Sequence, residues 1–150
     1  MADFTHIDAL ASSIIKQFEG LALKPYKCPA GVLTIGYGHT GSDVKDNMEI
    51  TVHDAITILM KDIKKYRQSV YNEVGSICND EQIAALTSFC FNVGIGNFLK
   101  STLLKTIKKN PSDLDGIKAQ FMRWVNAGGN RLQGLILRRT AEYTMYSKLS

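Results

Sequence analysis

The sequence predicts a mostly helical α+β domain: a small N-terminal β-hairpin lobe joined by a long helix to a larger helical lobe, with a cleft between them. Three observations lead there. Apolar residues recur at helical spacing along most of the chain. The period vanishes only between Leu21 and Thr40, where Pro25, Pro29, Gly31, Gly36 and Gly38 punctuate short runs rich in Tyr, Val, Thr and Ile. The periodic run that follows is long enough to bridge two lobes. The 150 residues, 45% hydrophobic and 21% charged, suit one domain with its own core. Within this single unit the N-terminal lobe is expected at about 14–50 and the linking helix at about 52–73. The helical lobe follows at about 79–149, packed with a helix at 5–19.

In chain order, Ile7, Leu10, Ala11, Ile14, Ile15 and Phe18 mark the first helix, and Gly20 is its stop signal. Pro29-Ala30-Gly31 reads as the turn of a hairpin between Tyr26-Lys27-Cys28 and Val32-Leu33-Thr34-Ile35. Thr51 and Asp54 form a capping box for the long helix, which carries Ala55, Ile56, Leu59, Met60, Ile63, Tyr66 and Val70. Asn79 and Asp80 open the next helix. Its apolar run from Ile83 to Val93 is wide enough to be buried on most sides, and Gly94 ends it. Three further helices are expected: Phe98 to Lys109, stopped by Asn110-Pro111; Ser112 to Val125, ended by Gly128-Gly129; and Leu132 to Leu149.

Composition removes several classes of function. No window approaches about 18 uninterrupted apolar residues, and the N-terminus lacks the basic-then-apolar run of a secretory signal, so neither a membrane span nor Sec export is expected. Cys28, Cys78 and Cys90 are odd in number and widely spaced, which argues against a disulfide framework and against a metal site; no metal or cofactor is expected. Residues 1–99 carry 8 Lys or Arg against 11 Asp or Glu, whereas residues 100–150 carry 10 against 3. A net charge of +7 on the last third points to an anionic partner. Nucleic acid is not expected, because neither a reading helix nor a sheet of interleaved basic and aromatic residues is present.

The candidate catalytic residues are Glu19, Cys28 and Thr34. A carboxylic acid at a helix C-terminus faces the negative end of the macrodipole, which favours the protonated form that a general acid needs. Across the hairpin, Cys28 and Thr34 can face one another and hold one water. Glycoside hydrolysis has this division of labour, an acid on one side of the sugar ring and a water on the other. No second carboxylate lies between Gly20 and Ser42, and Asp43 and Asp46 read as surface residues.

The stretches Phe18-Glu19-Gly20-Leu21, Lys24-Pro25-Tyr26 and Gly31 to Thr40 resemble the N-terminal signature of the phage-type lysozymes, the endolysins of glycoside hydrolase family 24. Phe91 to Phe98, Ser101 to Leu104, Arg123 to Gly129, Gly134-Leu135 and Arg138-Arg139 resemble that family's later motifs, in order and over nearly the whole chain. The resemblance implies a lysozyme-like fold and hydrolysis of the β-1,4 bond between N-acetylmuramic acid and N-acetylglucosamine in peptidoglycan. The family's pattern is a glutamate, eight residues, an aspartate or cysteine, five residues and a threonine, and Glu19, Cys28 and Thr34 fall on it. Cysteine is its less familiar variant. It leaves open water positioning with inversion or a covalent route through sulfur.

For substrate contacts, the expected residues are Tyr37 and Gly38 beside the hairpin, and Asn92, Gly96, Asn97 and Phe98 on the helical side. His39 either tunes Glu19 or anchors the sheet, with anchoring favoured. Trp124 is either a core anchor or a sugar platform, with core favoured, and Arg138 is expected in a structural or tuning role. On the last helix a stripe of Leu132, Leu135, Ile136, Tyr143 and Tyr146 is expected to pack on the core, with Arg131, Arg138, Arg139 and Lys148 elsewhere. With no export signal visible, the protein is expected to accumulate, as a monomer, in the host cytoplasm. It needs a holin to reach peptidoglycan in the periplasm, where its basic lobe meets an anionic wall or outer-membrane surface. A lytic transglycosylase acting on the same bond, or a non-catalytic wall- or nucleic-acid-binding protein, are the alternatives.

Overall fold

The computed structural model describes residues 3–148. Helix α1 (Thr5–Glu19) leads into a three-stranded antiparallel sheet of β1 (Ala22–Lys27), β2 (Leu33–Gly36) and β3 (His39–Thr40), in the order β1-β2-β3. The long α2 (Val52–Val74) follows, then α3 (Asp80–Val93), α4 (Ile95–Lys100), α5 (Thr102–Lys109) and α6 (Leu114–Phe121). A two-residue-stranded hairpin, β4 (Asn126–Ala127) and β5 (Asn130–Arg131), precedes the last helix α7 (Gln133–Tyr146). The mostly helical α+β class read from the sequence is thus observed.

The expected helix starts are built as their sequences require. Thr51 Oγ1 accepts from Asp54 N at 3.0 Å and Asp54 Oδ2 accepts from Thr51 N at 3.0 Å. Asn79 and Gln82 form the equivalent reciprocal pair at the start of α3. Each satisfies two backbone donors that the helix cannot. Helix α3 is the centre of the molecule: its residues from Ile83 to Cys90 are all buried, packed against α1, α2 and α7. A buried bidentate pair, Arg67 Nε and Nη2 to the two oxygens of Asp8 at 3.0 and 3.1 Å, fixes α1 to α2.

The structure corrects the sequence reading in four places. The expected helix from Phe98 to Lys109 is two, because Ser101 turns extended; its Oγ caps α5 by accepting from Leu104 N at 3.1 Å and donates to Phe98 O at 2.7 Å. The expected helix from Ser112 to Val125 ends at Phe121, and Gly128 and Gly129, both at positive φ, turn a hairpin instead of closing a helix. The hairpin near the N-terminus gains a third strand at His39–Thr40. Of the expected apolar stripe on the last helix, Tyr146 is buried and Tyr143 packs on the core but Leu132 is exposed, and the helix also buries Arg138, Arg139 and Glu142, so its core face is partly ionic. Leu149, the expected end of that helix, lies outside the described residues.

Candidate active site

A cleft of about 920 Å3 opens between the sheet and the helices. Glu19, Cys28 and Thr34 all line it, with Gly38 and His39 from the sheet side and Asn92 and Trp124 from the helical side. Glu19 arrives there as the last residue of α1, where Gly20 at φ 68° breaks the helix and turns the chain into β1.

The carboxyl group of Glu19 is gripped from two sides. Its Oε2 accepts from Nη1 of Arg138, a side chain only 3% exposed, while Glu19 itself keeps 21% exposure toward the cleft. On the other side stands Gly38: a Cβ there would lie 2.5 Å from Oε1 and 2.8 Å from Cδ of Glu19. The absent side chain at position 38 is therefore what makes room for the carboxyl group. Gly38→Ala should combine that clash with the strain of a side chain at φ +75°, costing about 1–2 kcal/mol. By displacing Glu19 it should also lower kcat about 10–100-fold. Thermal melts and turnover of the purified variant check this, and unchanged turnover would show that Gly38 does not position the acid.

Arg138 belongs to a buried, charge-balanced cluster. Its Nε donates to Glu142 Oε2 at 3.3 Å and its Nη2 to the Ser88 carbonyl at 3.1 Å. Ser88 Oγ donates to Glu142 Oε2 at 2.6 Å, and Arg139 Nη2 donates to Asn92 Oδ1 at 2.8 Å. Arg139 Nε sits 2.9 Å from Glu142 Oε1 without hydrogen-bond alignment, so the attraction there is coulombic. Burial pushes the Glu142 carboxyl above its usual range, against the pull of the two arginines. Burial likewise brings the Arg139 guanidinium down to about 10. Two carboxylates and two guanidiniums thus connect the acid of the cleft to the core of the helical side.

Cys28 lies just beyond β1. Thr34 pairs across the sheet with Tyr26, so Cys28 and Thr34 share a face as diagonal neighbours and are not directly opposed as expected. The Thr34 hydroxyl donates to Val32 O at 2.9 Å. The same hydroxyl also hydrogen-bonds the Cys28 thiol, one of the smaller influences that lower its pKa. Hydrogen bonding from the Val32 backbone, with a smaller share from Ala30, holds the Cys28 thiol below its ordinary value against an opposing effect of burial. The sulfur is a second acceptor on the same wall.

His39 bridges two carboxylates: Nδ1 lies 2.6 Å from Asp62 Oδ2, and Nε2 3.0 Å from Asp43 Oδ2. Burial alone would lower its pKa, but the bonds and charges of Asp62 and Asp43 outweigh it and hold His39 above the usual value. Asp62 sits on α2, so the contacts tie the sheet to the long helix, and both ring nitrogens are taken by these carboxylates.

Of the other expected contacts, Asn92 lines the cleft, held by Arg139. The Trp124 ring packs edge-on against Phe89 at 5.6 Å, and the residue also lines the cleft. Four expected contacts are corrected by placement. Phe98 is fully buried beside Phe89 because its ring fills the core under α4. Tyr37 leans on the core, with Lys16 over its ring, outside the cleft lining. Gly96 and Asn97 are exposed away from it, the Asn97 amide donating to Val93 O at 2.8 Å at the end of α3. Sequence reasoning missed Asp62, Arg139 and Glu142. For the last two the signal was present: Arg138, Arg139 and Glu142 stand at i, i+3 and i, i+4 spacing, where opposite charges meet on a helix.

A helical body and small sheet enclosing a cleft, with one gripped carboxylic acid on its wall, define an enzyme of lysozyme type. Two solved structures share the fold. The muramidase domain of SpmX from Asticaccaulis excentricus has TM-score 0.82 and 30% identity, covering 93% of this chain and 95% of that one. The endolysin from Escherichia coli O157:H7 phage FAHEc1 has TM-score 0.78 and 31% identity, covering 91% and 90%. The phage lysozyme family profile matches residues 16–142, and the chain belongs to that family. It is 38% identical over 145 residues to the endolysin of Acyrthosiphon pisum secondary endosymbiont phage 1, covering 94% of this chain and 97% of that one. It is 40% identical over 124 residues to the SAR-endolysin of Bacteriophage PS119, covering 83% and 73%. Against the endolysin of Bacillus phage PZA it is 38% identical over 137 residues, covering 90% of this chain but only about half, 52%, of that relative's length. Among the described residues no helix is long and apolar enough to cross a membrane.

Proposed function

We propose that this lysozyme is an endolysin that hydrolyses the β-1,4 bond between N-acetylmuramic acid and N-acetylglucosamine of peptidoglycan, lysing the host at the end of a phage cycle. The observation that carries this reading is the carboxyl group of Glu19, gripped by Arg138 and facing Cys28 and Thr34 within one cleft. Glu19 protonates the glycosidic oxygen as the bond breaks. Thr34 and the Cys28 sulfur hold one water against the anomeric carbon; as its oxygen bonds there and the glycosidic bond breaks, the proton the water loses passes to solvent, from which Glu19 is reprotonated. We infer inversion, with the water attacking opposite the leaving oxygen. Asn92 and Trp124 are the substrate contacts that the cleft lining supports. We further infer a monomer acting in the periplasm after a holin opens the inner membrane.

Muropeptide mass spectrometry tests the reaction. Hydrolysis yields reducing termini, and a product lighter by one water would be the anhydro-sugar of a lytic transglycosylase. A test of Cys28 follows from its lowered thiol value: the native rate should carry a limb that rises with pH and titrates below the ordinary thiol range. Cys28→Ser should keep partial activity and lack that limb. An identical pH profile in both proteins would assign the limb to another group.

A further inference from the structure

Asn92, next to the last residue of α3, lines the cleft with an amide side chain. An amide carries a carbonyl oxygen on one side and two N–H groups on the other, and a half turn about its last bond exchanges them. Which side meets the cleft is settled from below. Arg139 Nη2 donates to Asn92 Oδ1 at 2.8 Å. A guanidinium has only N–H donors, so the oxygen of the amide rests on it and the nitrogen cannot take that place. The nitrogen is left on the opposite side, toward the cleft, and among the described residues no side chain takes up its N–H bonds.

The support beneath Asn92 is itself fixed. Arg139 is fully buried, its guanidinium lies 5.0 Å from the centre of the Phe89 ring, and its Nε sits 2.9 Å from Glu142 Oε1. Glu142 also carries Arg138, and Arg138 grips Glu19. One buried carboxylate therefore steadies two consecutive arginines. The first reaches the acid and the second reaches the amide, and both of those groups line the same cleft.

Resting on the glycosidase reading above, we propose that Arg139 is a positioning residue that makes the enzyme select N-acetylated sugars, by locking Asn92 with its N–H groups toward the cleft. Arg139 never meets the substrate. Among the neutral groups of such a glycan the acetamido carbonyl is a strong acceptor with no proton on its oxygen, so it matches a wall that only donates. A sugar stripped of its acetyl group presents an ammonium at the same place, a donor set against donors, and is rejected. An amide free to turn would offer its oxygen to that ammonium and lose the distinction. Selectivity is thus set one layer behind the wall, by a cation that cannot accept a hydrogen bond.

The test compares soluble N-acetylated glycan strands with the same strands after chemical de-N-acetylation. Native protein should prefer the acetylated strands by about tenfold in kcat/KM. Asn92→Asp keeps an oxygen for Arg139 but offers no N–H to the cleft, so the preference should vanish or reverse. Arg139→Met leaves Glu142 with Arg138 and frees the Asn92 amide to turn. The preference should then fall to about twofold, with most of the change in KM because Arg138 still grips Glu19. A role confined to packing would lower both substrates alike and leave their ratio untouched. Should Arg139→Met fail to fold, Glu142→Gln/Arg139→Met, which removes the two opposite charges together, carries the same comparison. An Arg139 variant or an Asn92→Asp protein that keeps the native ratio overturns the proposal, as does a native protein that cleaves both strands equally well. Failure of the native protein to cleave either strand would overturn the glycosidase reading, and the selectivity with it.

Discussion

Glu19→Gln is expected to lower the rate of peptidoglycan cleavage about 10²–10⁴-fold, the usual contribution of a general acid, while the protein stays folded. The amide has the size of the carboxylic acid and still offers an oxygen to Arg138, so the cleft keeps its shape. Arg138 also retains Glu142 as a charged partner, so no buried guanidinium is stranded. What disappears is the proton for the leaving oxygen. Release of reducing ends from purified walls, read beside circular dichroism and a thermal melt, separates chemistry from folding. A variant retaining more than a few per cent of native activity would remove Glu19 from the role of acid.

The largest effect on stability is expected at Glu142, a residue that never meets the cleft. It is fully buried and holds Arg138 and Arg139 together at the end of α3. Glu142→Gln keeps the shape but leaves two buried guanidiniums with Glu19 as their only anionic partner. Removing one member of such a cluster costs about 3–5 kcal/mol because a buried charge loses its compensation. For a domain of this size the melting temperature should fall by roughly 6–20 °C. The pairing predicts a rescue. Arg139→Met in the Glu142→Gln background removes the stranded cation and leaves Arg138 with Glu19, so the double variant should be more stable than the sum of the single losses implies. Purely additive losses would show that the cluster is a set of independent contacts. The same variants bear on function, since Arg138 is the hand that holds the acid; Glu142→Gln should lower activity below its melt through a less fixed Glu19.

Where the sequence was sufficient, the information was local. The ends of α1, α2 and α3 followed from Gly20, the Thr51–Asp54 box and the Asn79 cap, because those signals act within one turn of the helix they terminate. The buried α3 followed from its apolar run, and the order of Glu19, Cys28 and Thr34 from their spacing. Where it was not, the deciding contacts were distant in the chain. Gly128-Gly129 stops a helix and turns a hairpin equally well, and only the pairing of Asn126 with Arg131 chose between them. Phe98 has the composition of a sugar platform, but packing against Phe89 made it core.

The sequence by itself determined a mostly helical α+β chain and a glutamate placed at a helix end ahead of a hairpin. It also determined that the last third is rich in cations. Tertiary structure decided what those cations do. Arg138 and Arg139 contribute to the +7 of the last third, yet Glu142 neutralises them inside the protein and Arg138 reaches 119 residues back to Glu19. Helical periodicity sorts residues by water affinity, and on that scale a guanidinium belongs outside. Only the presence of two carboxyl partners, Glu142 fully buried and Glu19 at the cleft wall from the far end of the chain, makes its burial favourable and turns the cation into the support of the acid.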